Sequence, residues 1–402
     1  MMNKRILWII TGKCLLENIA IWIRNMAILY FIMEQTKNDP TAVSMIQVSE
    51  YLPIFLIAFI GGTLADRWRP KRTMIISDCL SAASMILIIG LLDFGFWPAI
   101  YLATLLSAIF SQFTQPSAVV MLKQHLTDQE LSQAISLIQG LTPIFVIIGP
   151  FIGTGIYGWL GIEASLYFFG GAFLFSAFLV SFLPSSKKDV SQTSSVWQDM
   201  KQGFLYLKQQ QTLKTLTIMD FFIAIGLGII QPLEVFIITQ RLELAKESLQ
   251  WFLMIGGIGS LIGAIITSHL LTRLKIKPTM SICLGVLSLC VFLEALSTWI
   301  PITASIRFIV GLTSTFLIVT LNTLVLQIVD KDYVGRVSGI MNPIFTGGTL
   351  IGIAIFSPLF KGTSIIVTAG IASLVILVSV LYSLRVHIPE KNQAVPPASI
   401  SR

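Results

Sequence analysis

The sequence predicts an all-α membrane protein, with twelve transmembrane helices in two pseudo-symmetric six-helix bundles. Three observations carry that expectation. The 402-residue chain is 54% hydrophobic and 12% charged, more apolar surface than a soluble protein of this length hides. Its apolar residues gather into twelve runs, most reaching the roughly 20 residues that a helix needs to cross a bilayer. The polar breaks between runs are short, and alternate ones are basic.

The runs are 5–33, 41–65, 73–93, 97–120, 134–160, 163–184, 214–239, 248–272, 278–298, 301–328, 337–360 and 363–385. An even number puts both termini on one side. Of the 27 Lys and Arg residues, 20 lie at the two termini and in the 2–3, 4–5, 6–7, 8–9 and 10–11 connections. The other five connections hold four, and Lys13, Arg24 and Arg307 lie inside runs. The positive-inside rule therefore places both termini in the cytoplasm. The net charge of +7 consists of these topology signals and points to no nucleic-acid surface.

Lys4 and Arg5 precede an apolar run, as in a signal peptide. Lys13 and Glu17 soon interrupt that run and no small-residue cleavage site follows, so it reads as a retained first helix. Cys14, Cys79, Cys283 and Cys290 all fall within apolar runs and read as buried small side chains, with no metal spacing or disulfide framework. There is no G-x-x-x-x-G-K-[ST] loop for a nucleotide. His125, His269 and His387 are too widely separated for a hydrolase triad. The expectation is a non-enzyme with no metal and no cofactor.

The longest polar stretch, 185–212, follows Pro184 and is rich in Ser and Gln. It divides the chain into an N-terminal bundle (1–184), a cytoplasmic linker (185–212), a C-terminal bundle (213–386) and a cytoplasmic tail (387–402). Within the linker, Trp197, Met200, Phe204 and Leu207 recur at helical spacing, the pattern of a short amphipathic helix on the membrane face. The halves echo one another. Arg72-Thr73-Met74 resembles Pro278-Thr279-Met280, and Pro143-Ile144-Phe145 returns as Pro343-Ile344-Phe345 half the chain later. That is the mark of a parallel duplication.

Ionisable groups at bilayer depth are costly, so they face a cavity or a partner. In the first run Lys13, Glu17 and Arg24 fall nearly on one face, with Asn18 and Asn25 beside them, and Lys13 and Glu17 are one turn apart. Glu50, in the second run, lies at a depth similar to Arg24, so a Glu50–Arg24 pair is expected. Such a carboxylate either alternates between a proton and the arginine or forms a permanent structural pair. Asp78, early in the third run, is expected to pair with Arg72 or a neighbour, with a part in transport as the alternative. Asp220 in the seventh run is the second carboxylate of interest, after those of the first half. Glu234 lies toward the outer end of the same run, at a gate. Glu294 and Arg307 flank the outer 9–10 hairpin and read as a structural pair. Asn322 offers either a cavity hydrogen bond or interhelical glue. Phe110, Phe113, Phe145, Phe221, Phe222 and Trp251 either line a greasy pocket or pack against lipid and core.

The most informative stretch is Gly61-Gly62-Thr63-Leu64-Ala65-Asp66-Arg67-Trp68-Arg69-Pro70-Lys71-Arg72, a basic hairpin between two spanning runs. It resembles the signature between helices 2 and 3 of the major facilitator superfamily. That resemblance covers essentially the whole chain. The local match is to the bacterial drug-exporter branch that includes macrolide efflux proteins and siderophore exporters. It rests further on Gln115-Pro116-Ser117-Ala118, Leu126-Thr127-Asp128-Gln129-Glu130-Leu131, Asp332-Tyr333-Val334-Gly335-Arg336-Val337 and Gly149-Pro150-Phe151-Ile152-Gly153.

The resemblance implies a conformational latch. Asp66 would accept hydrogen bonds from the start of helix 11, near Gly335 and Arg336, with Gly62 shaping the turn and Arg67 and Lys71 bracing it. A carboxylate at a helix N-terminus gains about 0.3–2 kcal/mol, enough to bias a two-state equilibrium without freezing it. Arg69-Pro70 departs from the Gly-Arg usual there, and in the second half Thr272 stands where Asp66 stands in the first. Gly149, Pro150 and Gly153 resemble the core of the helix 5 signature of antiporters, with Phe145 and Thr154 where the family has Gly; generic glycine packing is the alternative.

The implied function is secondary active export of amphiphilic small molecules (a drug, an antibiotic or a siderophore-like compound) by alternating access with proton antiport. The coupling candidates are Glu17, Glu50 and Asp220. The implied setting is a bacterial cytoplasmic membrane, with a small-molecule substrate, protons and membrane lipids as partners, and a monomer as the working unit. A lysophospholipid flippase of the same superfamily, a nutrient importer, and a non-transporting sensor on a transporter fold remain open.

Overall fold

The computed structural model describes residues 4–58, 69–184, 196–270, 274–330 and 333–386. Every regular element among them is helical. In chain order these are α1 (Lys4–Gln35), α2 (Pro40–Ala58), α3 (Pro70–Asp93), α4 (Ile100–His125), α5 (Asp128–Ser181) and α6 (Val196–Gln209). They continue with α7 (Gln211–Phe236), α8 (Leu249–Leu270), α9 (Ile276–Leu296), α10 (Ile300–Ile328), α11 (Val334–Gly362) and α12 (Ile365–Arg385). Eleven helices among the described residues are long and apolar enough to cross a membrane. They account for twelve runs because α5, at 54 residues, carries both the fifth and the sixth.

The join inside α5 is Gly161, whose φ of 77° and ψ of −170° are not helical. A side chain there would meet open space, so the requirement for glycine is the positive φ alone. The start of α5 also differs from expectation. Only Leu126 and Thr127 separate it from α4. Thr127 caps the helix: its hydroxyl accepts from the Glu130 backbone N–H, and the Glu130 carboxylate accepts from the Thr127 backbone N–H at 3.0 Å. This reciprocal capping box starts the helix six residues before the apolar run begins.

The chain divides into two compact units, Met1–Val196 with Leu244–Met254, and Trp197–Glu243 with Ile255–Arg402. In the first unit two apolar clusters tie α1, α3, α4 and α5 together. One centres on Ile28, Ile32, Met85, Ile88, Ala103 and Phe169; the other on Ile6, Ile10, Met74, Met121, Leu122 and Val180. In the second unit α7 lies against α11 on glycines. A Cβ at Gly348 would come within 2.9 Å of the Phe221 carbonyl, and one at Gly352 or Gly228 would collide with backbone of the facing helix. Serines join α9 to α12: Ser281 and Ser383 hydroxyls are 2.7 Å apart, and Ser288 and Ser373 bond to each other's carbonyls. Large apolar side chains such as Ile86, Leu289 and Leu374 are more than half exposed, as lipid-facing positions are.

α6 is the helix predicted in the linker. Its apolar stripe divides: Leu207 is buried, while Phe204 is exposed. The helix docks on the segment before α11. Tyr206 stacks on Tyr333 with ring centroids 4.3 Å apart, and its hydroxyl donates to Asp330 at 3.1 Å. A Cβ at Gly203 would lie 2.8 Å from the Arg336 carbonyl oxygen.

Candidate functional site

The first unit holds a buried charge cluster built by three helices. Lys13 and Glu17 share a face of α1, and the Lys13 ammonium is ion-paired with Glu17. It also donates to Asp78 Oδ2 of α3 at 2.7 Å and to the Ser176 hydroxyl of α5 at 3.1 Å. Ser176 in turn donates to Asp78 Oδ2 at 2.8 Å. Lys13 is 1% exposed, Asp78 and Ser176 0%, and the Glu17 side chain 14%. Asp78 therefore pairs with Lys13 and not with Arg72. The cation nearest in sequence is not the one that the packing of α1 on α3 and α5 presents. Two carboxylates share one ammonium here. Removing one partner of such a buried pair costs about 3–5 kcal/mol.

Further along α1, Arg24 is buried and donates from Nε and NH2 to Asn25 Oδ1, at 3.1 and 2.7 Å. Its guanidinium lies 5.4 Å from the Phe169 ring centroid. Arg24 and Glu50 make no ion contact within 4.0 Å among the described residues, although Glu50 is the charge that acts on Arg24; the neighbouring amide and the aromatic face contact the guanidinium directly. Glu50 is half-buried on α2. Asn18 bonds back to the Cys14 carbonyl within its own helix at 2.8 Å.

At the far end of α1, Glu34 pairs with Lys246, which belongs to the first unit through Leu244–Met254. Tyr157 of α5 donates to Glu34 Oε2 at 2.8 Å, and buried Tyr30 bonds Thr154 at 3.0 Å. Nothing in the local sequence marks this cluster, because its members come from α1, α5 and the segment before α8.

Gly149 and Gly153 let α5 close on α1. A Cβ at Gly149 would overlap the Trp22 indole, and one at Gly153 would come within 2.7 Å of the Trp22 carbonyl and 2.9 Å of Met26. Pro150 is buried between them. Of the predicted latch, Gly62, Asp66 and Arg67 lie outside the described residues. Lys71 caps the end of α5, donating to the carbonyls of Ser181 at 2.7 Å and Leu183 at 2.6 Å. In the second unit, Gly335 is in open space and the Arg336 guanidinium lies 5.3 Å from the Tyr333 ring centroid.

The second unit holds its own cluster. Arg307 of α10 donates from NH1 to Glu234 Oε1 of α7 at 2.8 Å. Its Nε lies 3.2 Å from Glu294 Oε1 of α9, an ion contact without hydrogen-bond alignment. The expected Glu294–Arg307 pair is present, and Glu234 is a third member that sequence reasoning assigned elsewhere. Asp220, half-buried in α7, makes no hydrogen bond or ion pair among the described residues. Asn322 is exposed and likewise makes no interhelical hydrogen bond among them. Of the six aromatics singled out, Phe221 and Phe222 pack edge-on with centroids 6.1 Å apart, Phe145 is buried, and Trp251 meets Phe151 edge-on at 4.6 Å.

Known proteins share this architecture. A family model described as Major Facilitator Superfamily matches residues 15–353 and, in a second overlapping match, 216–399. The chain is 23% identical over 376 residues to the uncharacterised MFS-type transporter YkuC of Bacillus subtilis (strain 168), covering 89% of this chain and 87% of that one. It is 26% identical over 335 residues to the multidrug efflux pump Tap of Mycolicibacterium fortuitum, covering 79% and 80%. The crystal structure of a D-xylose–proton symporter superposes with a TM-score of 0.75 at 13% identity, covering 98% of this chain and all of that one, a likeness of fold alone.

Proposed function

The chain belongs to the Major Facilitator Superfamily, a family of transporters and not of enzymes, and from that premise we propose that it exports amphiphilic small molecules in exchange for protons. Residues 1–184 and 213–386 act as the two six-helix bundles that alternate, 185–212 links them, and both termini, including the tail 387–402, face the cytoplasm of a bacterial cell. The working unit is a monomer in the lipid bilayer. The direction of transport draws support from the similarity to a multidrug efflux pump.

The observation that carries the proton-coupled part is Asp220. A carboxyl group within an apolar spanning helix, without an ionic partner among the described residues, is costly to keep there unless it serves an ion or proton pathway. Glu50 on α2 is the second candidate and Glu17 the third. The latch of Asp66 with the start of α11 sets the balance between the two access states.

Inside-out vesicles, loaded with neither substrate nor dye and given an inward-acid proton gradient, test the reading with a panel of lipophilic dyes and antibiotics. Uptake that follows the gradient, and that falls at least tenfold in Asp220→Asn, is the expected result. Uptake indifferent to the gradient overturns the antiport. Absence of flux for every compound, with lipid flipping intact, moves the protein to the flippase reading.

A further inference from the structure

We infer that Glu17 and Asp78 together hold one exchangeable proton, with Lys13 and Ser176 as positioning residues. This names a carboxylate, Asp78, that the proton-coupled reading above leaves out, and it is testable without transport.

The argument is a count of hydrogens. The Lys13 ammonium has three N–H donors, and each has a partner: Glu17, Asp78 Oδ2 and the Ser176 hydroxyl. Ser176 has one hydrogen, and it goes to Asp78 Oδ2 as well. Asp78 Oδ1 is buried and has no donor among the described residues. With both carboxylates ionised, the cluster has no hydrogen left to give that oxygen. Leaving a buried acceptor of this kind unpaired is strongly unfavourable.

Both carboxylates hold the same ammonium, so the two carboxyl groups are neighbours across it. One added proton gives the cluster the donor that it lacks. It also brings the cluster from a net charge of −1 to zero in a setting with little water. Glu17 is the member with access, since its side chain is 14% exposed while Lys13 and Asp78 are sealed. The proton therefore comes and goes through Glu17, and Asp78 fixes where it is held. The groups acting on Glu17 are Lys13 from its own helix and Asp78 from α3, with the Cys14 thiol alongside on α1 and the Ser176 hydroxyl reaching the same ammonium from α5.

The charge balance makes the variants diagnostic. Glu17→Gln and Asp78→Asn each leave one carboxylate facing one ammonium, so no proton is needed. Lys13→Met leaves two carboxylates and no cation, so more than one proton is retained.

The test is infrared difference spectroscopy on the purified full-length protein in lipid nanodiscs across a pH titration, reading the carbonyl band of protonated carboxylic acids and its shift in D2O. The wild type is expected to show a band that disappears in both Glu17→Gln and Asp78→Asn, persists in Asp220→Asn, and grows in Lys13→Met. Ser176→Ala keeps both carboxylates and Lys13, so it folds where the others fail, and it is expected to keep the band with a displaced midpoint. An unchanged band in Glu17→Gln and Asp78→Asn overturns the shared proton, as does an unmoved midpoint in Ser176→Ala. A band that behaves as expected beside gradient-independent flux removes the antiport and leaves this site standing. Gradient-driven flux without such a band does the reverse.

Discussion

The Arg307 guanidinium joins α10 to α7 through a 2.8 Å hydrogen bond to Glu234. The same side chain touches Glu294 of α9, so three helices of the second unit meet on one cation that is 7% exposed. Lys13 does the corresponding work in the first unit, joining α1, α3 and α5. Among the described residues, each unit thus has a buried cation held by two carboxylates.

Loss of that cation is expected to be severe. Arg307→Ala leaves Glu294 buried without a counter-charge and should destabilise the protein by about 3–5 kcal/mol. Arg307→Lys lacks the planar fork that serves two carboxylates from different helices and should recover only part of the loss. Glu234 is the more exposed partner, so Glu234→Gln should cost markedly less than Glu294→Gln. Thermal unfolding of the detergent-solubilised variants checks the order.

The glycines of α5 predict a size limit. Gly149→Ala places a methyl group in the Trp22 ring, and overpacking of this kind costs about 1–3 kcal/mol. Gly153→Ala meets backbone and should be at least as damaging. Trp22→Ala should rescue Gly149→Ala but not Gly153→Ala, whose obstacle includes the Trp22 carbonyl. Unfolding midpoints of the single and double variants give the answer.

The Glu34–Lys246 pair is expected to contribute little to stability. Glu34 is 52% exposed, and exposed pairs are worth about 0.2–1 kcal/mol. A double-mutant cycle with Glu34→Gln and Lys246→Met should return a coupling below about 1 kcal/mol that shrinks further in high salt. Tyr157→Phe removes a second donor to Glu34 and should add to the effect of Lys246→Met.

Asp66 carries the proposed latch, so Asp66→Asn should slow flux while leaving substrate binding near the wild-type level. Parallel measurement of dye binding and vesicle uptake separates the two; wild-type uptake in this variant removes the latch.

Much of the fold was written in composition. Runs of apolar residues and alternating basic connections specify the spanning helices, because lipid leaves helix as the only way for a lone segment to satisfy its backbone. The gap at 161–162 was legible as a break, yet only the structure reduces it to a single residue of positive φ. The start of α5 was misplaced because a capping box is polar, and an apolar run does not include it. In the charge clusters, spacing gave Lys13 with Glu17 one turn away on the same helix. It did not give Asp78 or Ser176, which arrive from α3 and the far part of α5; local reasoning offers Asp78 only Arg72 or another neighbour in sequence. Arg24 and Glu50 share a depth, but Asn25 is a nearer acceptor than any carboxylate.

Gly161 gives α5 a mechanical property. On one side of it Gly149 and Gly153 clamp α1 at Trp22 and Met26; on the other, Ser176 reaches α1 at Lys13. The two arms of a lever thus bear on one rod at separate heights, with a single residue as fulcrum. The packing seam and the charge cluster therefore lie along the same helix pair, on either side of its one non-helical residue.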